Sequence, residues 1–207
     1  EDVSVLFSTQ NTLGSTSYSW TSDIEIGAGL SGTDNMNFTA TNLLTEPVVA
    51  TIVVTPAFEF DGIVCDGEDK TFTITVNPTA QVNQPTNLLL YDQEITTPVL
   101  FTTQNTGGVT SYNWTNNTPS IGLSSSGDGD IFSFTATNTT NIPVTATITV
   151  TPVFENGSIV CDGEAKTFTI TVNPTAQVNQ PSDQVVCNGE DVSVLFSTQN
   201  TLGSTSY

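Results

Sequence analysis

Apolar and polar residues alternate with period two over long stretches of this chain. Val144, Ala146, Ile148 and Val150 alternate with Thr145, Thr147, Thr149 and Thr151, and Phe168, Ile170 and Val172 alternate with Thr167, Thr169 and Thr171. Successive side chains of a strand point to opposite faces, so the pattern predicts strands with an apolar face inward and threonines toward water. Further strands are predicted at 87–91, 98–103, 110–115 and 131–137, with turn-rich segments at 104–108, 124–130 and 139–143 between them. No helical periodicity accompanies them. About seven short strands in roughly 95 residues predict an antiparallel β-sandwich.

The pattern occurs twice. Val48, Ala50, Ile52 and Val54 match Val144 to Val150; Phe72, Ile74 and Val76 match Phe168 to Val172; Phe38 of NFTATN matches Phe134 of SFTATN. TFTITVNPTAQVNQP at 71–85 recurs at 167–181, an offset of 96 residues. The first eighteen residues, EDVSVLFSTQNTLGSTSY, recur without a mismatch at 190–207. Such periodicity predicts a tandem array, which works by reach, stiffness and multivalency. The expected domains are 1–79, a sandwich lacking its first strand; 80–175, a complete sandwich; and 176–207, the opening fragment of a third. The chain is expected to begin and end at arbitrary points of the repeat, with neighbouring copies completing the end units. Two prolines frame each NPTAQVNQP boundary at 77–85 and 173–181. Proline fixes φ and disfavours helix before it, so each boundary is expected to be a short, semi-rigid connector in an elongated array.

Charge removes several function classes. Twenty-one acidic residues stand against Lys70 and Lys166, giving −19, with no Arg and no His. Nucleic-acid binding needs cations that replace counterions, so it is excluded as an expectation. Anionic membranes should repel the chain, and no apolar segment approaches the ~20 residues that span a bilayer. Catalysis is not expected either, because the commonest general base and the usual oxyanion clamps are missing.

Calcium is the small ligand the residues favour most. Asp66, Glu68 and Asp69 lie around Gly67; Asp162 and Glu164 flank Gly163; Asp128 and Asp130 flank Gly129. Hard oxygen ligands on a flexible turn are what Ca²⁺ requires, although no EF-hand spacing is present. The competing reading is a solvated acidic turn. Trp20 and Trp114, each two residues after a tyrosine, are expected to plug cores, against the alternative of a sugar-stacking platform. Asn37 and Asn138 each begin an Asn-x-Thr sequon.

SYSW at 17–20 and SYNW at 111–114, followed by FTATN, an alternating strand, C-D-G-E and TFTITVNP, resemble the PKD-like sandwich domain in this order. VCNGE at 186–190 matches that family's opening. The W-D-F-G-D-G run of ordinary PKD domains is absent. Trp20 is followed by Thr21-Ser22-Asp23 and Trp114 by Thr115-Asn116-Asn117. Tandem PKD-like runs occur in giant cell-surface adhesins of Bacteroidetes. The resemblance implies immunoglobulin-like, PKD-like sandwiches in an extracellular cell-surface filament, exported by type IX secretion and used in adhesion or gliding motility. The expected partners are neighbouring repeats and polysaccharide or abiotic surfaces. A carbohydrate- or calcium-binding module is the alternative.

Three cysteines complete the picture: Cys65, Cys161 and Cys187. If the end of a sandwich's first strand and the start of its last share a pole, a disulfide within the unit is natural, and the family pattern implies one. Cys65 is then expected to pair with a copy of Cys187 preceding Glu1, and Cys187 with a partner beyond this sequence. Cys161 is expected to be unpaired, since Tyr91 occupies the matching position. A link from Cys161 to Cys187 is rejected, because intervening strands would hold them beyond the ~7 Å that a disulfide allows.

Overall fold

Strands form where apolar residues alternate with threonine and serine. The computed structural model describes residues 1–206. Seven strands occupy the first part: β1 (Asp2–Val5), β2 (Ser15–Ser22), β3 (Ser31–Thr33), β4 (Met36–Thr39), β5 (Val48–Phe60), β6 (Ile63–Asp66) and β7 (Lys70–Val76). Six follow: β8 (Leu88–Tyr91), β9 (Val109–Asn116), β10 (Ser126–Asp128), β11 (Val144–Asn156), β12 (Ile159–Asp162) and β13 (Lys166–Asn173). The one helical element is a single 3₁₀ turn at Pro119–Ile121. The chain is thus nearly all β, with antiparallel and mixed sheets, in an arrangement consistent with a β-sandwich.

β1 pairs with β4, and a second sheet runs β3-β2-β5-β6 with β7 also on β5. A third sheet runs β10-β9-β11-β13-β8 with β12 on β11. All pairings are antiparallel except one. β8 runs parallel to β13, with Ile170 opposite Leu88 and Asn173 opposite Tyr91. The expectation of wholly antiparallel sheets is therefore corrected. The segments expected as strands at 98–103 and 131–137 hold only the isolated bridges Val99–Ile131 and Ile95–Thr135. Pro98 has no N–H to give a ladder there, and Phe132 is 79% exposed, so little burial rewards longer pairing.

The chain divides into two compact units. One holds Glu1–Gln81, Gln104–Thr110 and Val153–Gly163. The other holds Val82–Thr103, Ser111–Pro152 and the chain from Glu164 onward. In the first, Trp20, Ile26, Met36, Ala50, Ile52 and Val54 form the buried core. In the second, the core includes Val82, Leu90, Phe101, Tyr112, Trp114, Ile148, Phe168 and Ile170.

Both tryptophans are buried, Trp20 at 6% and Trp114 at 7% exposure. Each lies opposite a glycine on the neighbouring strand, Trp20 against Gly32 and Trp114 against Gly127. A Cβ on either glycine would stand 2.4 Å from the indole Cζ2. The short strands β3 and β10 therefore exist to lay a glycine under each indole. A Phe–Tyr–Phe cluster repeats beside the tryptophans. Phe7 meets Tyr18 at 5.5 Å and Phe72 at 6.4 Å; Phe101 meets Tyr112 at 5.5 Å and Phe168 at 6.4 Å.

The thirteen-residue strands β5 and β11 each contain a proline, which cannot donate to a ladder. Both place it where the partner changes. β5 pairs with β7 through Val54 and with β6 from Ala57, leaving Thr55 and Pro56 between. β11 pairs with β13 through Val150 and with β12 from Val153, leaving Thr151 and Pro152. The tight turns are Asp61-Gly62 and Gly157-Ser158, whose four residues all have positive φ, as primed hairpin turns require.

Gly127→Ala should lower stability by about 1–3 kcal/mol, because the added methyl must displace a packed ring. Urea unfolding followed by tryptophan fluorescence checks this; an unchanged midpoint would show that the indole has room.

Candidate functional site

The N-P-T-A-Q-V-N segments at 77–83 and 173–179 are the most heavily bonded non-strand backbone in the molecule. Their prolines donate nothing, so the remaining N–H groups need acceptors. In the first copy, the Gln81 N–H donates to Asn105 Oδ1 at 2.7 Å. Asn105 Nδ2 donates to the Thr79 carbonyl at 3.1 Å and the Thr45 carbonyl at 3.4 Å. The Thr106 N–H donates to Thr45 at 2.9 Å. In the second copy, Gln177 N–H donates to Asn200 Oδ1 at 2.7 Å, and Asn200 Nδ2 to Thr175 at 3.1 Å. The Thr201 N–H donates to Asn141 at 3.1 Å.

One residue pair further along, the ladder repeats again. Asn83 donates from its backbone to the Thr102 carbonyl and from its side chain to Thr102 Oγ1, both at 2.8 Å. Asn179 does the same with Ser197, at 2.8 and 2.9 Å. The T-Q-N triplets at 103–105 and 198–200 thus supply an asparagine that staples the preceding proline-framed segment. Sequence reading found the segments but missed the triplet, whose recurrence at 9–11 was the available signal. Pro78, Ala80 and Val82 are buried, so the first segment is packed as well as bonded.

A second asparagine closes the end of each core. Asn138 Nδ2 donates to the Ile142 and Val172 carbonyls at 2.8 and 2.7 Å. Asn42 donates to Glu46 and Val76, both at 2.8 Å. The F-T-A-T-N signature therefore ends in a structural amide. Asn138 is 5% exposed with its amide engaged, which leaves this sequon no accessible acceptor for a glycan. Asp92 accepts from the Asn138 N–H and the Thr175 hydroxyl, both at 2.8 Å. These bonds, the Asn138 N–H foremost, hold its carboxyl below the usual aspartate range. Burial, aided by the negative Asp130, raises the Tyr112 phenol.

The structure disperses the predicted calcium ligands. Asp66, Glu68 and Asp69 sit exposed between β6 and β7, opposite Pro56, and do not form the tight turn expected of them. Glu68 bonds Lys70 at 2.7 Å, which lowers its pKa, and Asp69 accepts from the Thr55 hydroxyl at 2.6 Å. Asp162 and Glu164 are exposed between β12 and β13. Asp128 is exposed on β10, while Asp130 is half-buried and accepts from the Phe101 N–H at 2.8 Å. Among the described residues, no group of three or more His, Cys, Asp or Glu is placed to hold a metal ion. No helix among them is long and apolar enough to cross a membrane.

Cys65, Cys161 and Cys187 are all free thiols. The parallel register removes the premise of the expected pairing. Tyr91, the position matching Cys187, lies opposite Asn173 at the C-terminal end of β13. A copy of Cys187 beside β7 would correspondingly face Asn77. Cys65 lies at the other end, before β7 begins, and seven residues at ~3.3 Å each separate the two ends.

A cavity of about 640 Å³ opens beside the first core, lined by Phe7, Tyr18, Phe58 and Phe72 together with Ser8 and Asn11. No protein-family model matches the chain, and no curated protein matches it.

Two outcomes follow from this geometry. Asn200→Ala should leave the Gln177 amide without its acceptor and raise its exchange rate, by the ~1 kcal/mol a hydrogen bond typically contributes. Unchanged exchange by NMR would mean that the staple holds nothing. Asp92 has a depressed folded-state pKa, so its contribution is present above the unfolded value near 3.8 and is lost as pH falls through the lower folded value. Asp92→Asn should flatten the fall in thermal midpoint over that acid window; an unaltered pH profile would contradict the assignment.

Proposed function

We propose that this chain is a structural segment of an extracellular, cell-surface array of PKD-like β-sandwiches, acting mechanically as a stalk in attachment or gliding. The observation that carries the reading is the staple. The same asparagine-centred hydrogen bonds recur at both proline-framed segments, as one joint design repeated along a chain would require. Ordering those segments costs conformational entropy, and a chain that needed only a loose tether would not spend hydrogen bonds there.

Three further features support it. Net charge of −19 keeps a long array soluble and apart from anionic surfaces. Both tryptophans are consumed by cores, so they offer no stacking platform for sugar. The absence of His and Arg from the sequence leaves no common catalytic base or anion clamp.

The folded chain should therefore show no saturable binding to agar, glass or a polysaccharide panel, and the same melting temperature in calcium and in chelator. Saturable binding would make the repeat itself adhesive. A calcium-dependent rise in melting temperature would restore the acidic turns as a metal site.

A further inference from the structure

The two cores share a last strand but not its surroundings. K-T-F-T-I-T-V-N-P occurs at 70–78 and again at 166–174. In β13, Phe168, Ile170 and Val172 are 2%, 0% and 0% exposed. In β7, the identical Phe72, Ile74 and Val76 are only half-buried. Composition cannot cause this difference, so the neighbour must. β13 carries β8 along its outer edge, whereas β7 carries no such strand among the described residues. Beside β13, Val82 is 5% exposed within the second core. Beside β7 lies the 640 Å³ cavity instead. Its lining residues Ser8 and Asn11 match Thr102 and Asn105, the two residues that hold 81–83 in the second copy.

The same chain carries a fitting occupant. Residues 176–189 lie one repeat of 96 after 80–93. Val178, Val185 and Val186 match Val82, Leu89 and Leu90, yet are 57%, 97% and 49% exposed. Gln177 and Asn179 are held by Asn200 and Ser197. Because 190–207 duplicates 1–18, Asn11 and Ser8 of another copy offer the same groups. Each bond given up is thus replaced by its equivalent, the condition that makes segment exchange inexpensive.

We propose that the chain associates head to tail. Residues 184–187 of one copy add as a parallel strand to the outer edge of β7 in a second copy, opposite Ile74 to Asn77, and Val178 fills the cavity. An unpaired edge with a half-buried apolar face is a template for such addition. The inference goes beyond the stalk reading and rests only on the difference between β7 and β13. Like charge opposes the association, so salt should strengthen it.

Light scattering after size exclusion, over a roughly hundredfold concentration range, tests the proposal. The wild-type chain should form concentration-dependent oligomers, promoted by salt. A Val178→Asp, Val186→Asp double variant changes only exposed residues and should remain folded and monomeric. A labelled peptide of residues 176–189 should bind that variant saturably. Wild-type chain that stays monomeric, or a double variant that assembles equally well, would overturn the proposal. The register has its own readout. Cys187 of the donor would face Asn77, which lines the same cavity as Cys161, while Cys65 lies at the other end of β7. Oxidised glutathione should therefore trap a Cys161–Cys187 link between copies. A Cys65–Cys187 link, or none, would overturn the register.

Discussion

Coverage of the outer edge of the last strand determines how complete each core is. A strand paired on one side leaves its other N–H and C=O groups to water, and its apolar face is sealed only at one margin. β13 is covered and its three inward residues are buried; β7 has the same sequence and they are not. The rest of the second core follows from that closure. β8 brings Leu90 inward, the segment before it brings Val82, and the Asn105 staple fixes the polar backbone that leads there.

Two kinds of device hold the chain. Apolar packing supplies the bulk: indole on glycine, a Phe–Tyr–Phe cluster, and alternating Val, Ile and Ala on the long strands. Asparagine amides supply placement. Asn42, Asn138, Asn105 and Asn200 each have a donor and an acceptor on one short side chain, which suits them to terminate strands and bind irregular backbone. A chain with two basic residues cannot organise itself through ion pairs, and the one salt bridge among the described residues is exposed. Exposed pairs contribute little, so neutral amides take the positioning role that charges fill elsewhere.

Much of the β architecture was legible from alternation. Val144 to Val150 and Phe168 to Val172 lie in strands with their apolar residues inward, because period two and burial of one face state the same constraint. Three things were not legible. The direction of β8 depends on tertiary contact, and Leu88–Tyr91 has no pattern that distinguishes parallel from antiparallel. The strands β3 and β10 are three residues long and are defined by a glycine lying under an indole, a contact distant in sequence. The acidic segments read as turns because glycine and aspartate favour turns, but the turn positions were taken by Asp61-Gly62 and Gly157-Ser158. The T-Q-N triplet looked like loop filler until its asparagine was seen on the neighbouring backbone.

The most direct measurement is hydrogen exchange of β7 against β13 in the same sample. Their shared sequence gives the amides nearly equal intrinsic rates, and Asp69 against Ala165 distinguishes the two peptides by mass. Any difference therefore reports structure alone. The account predicts that β7 exchanges faster than β13 at low protein concentration, where its outer edge is bare. Equal protection of the two strands would contradict the claim that edge coverage decides the completeness of each core.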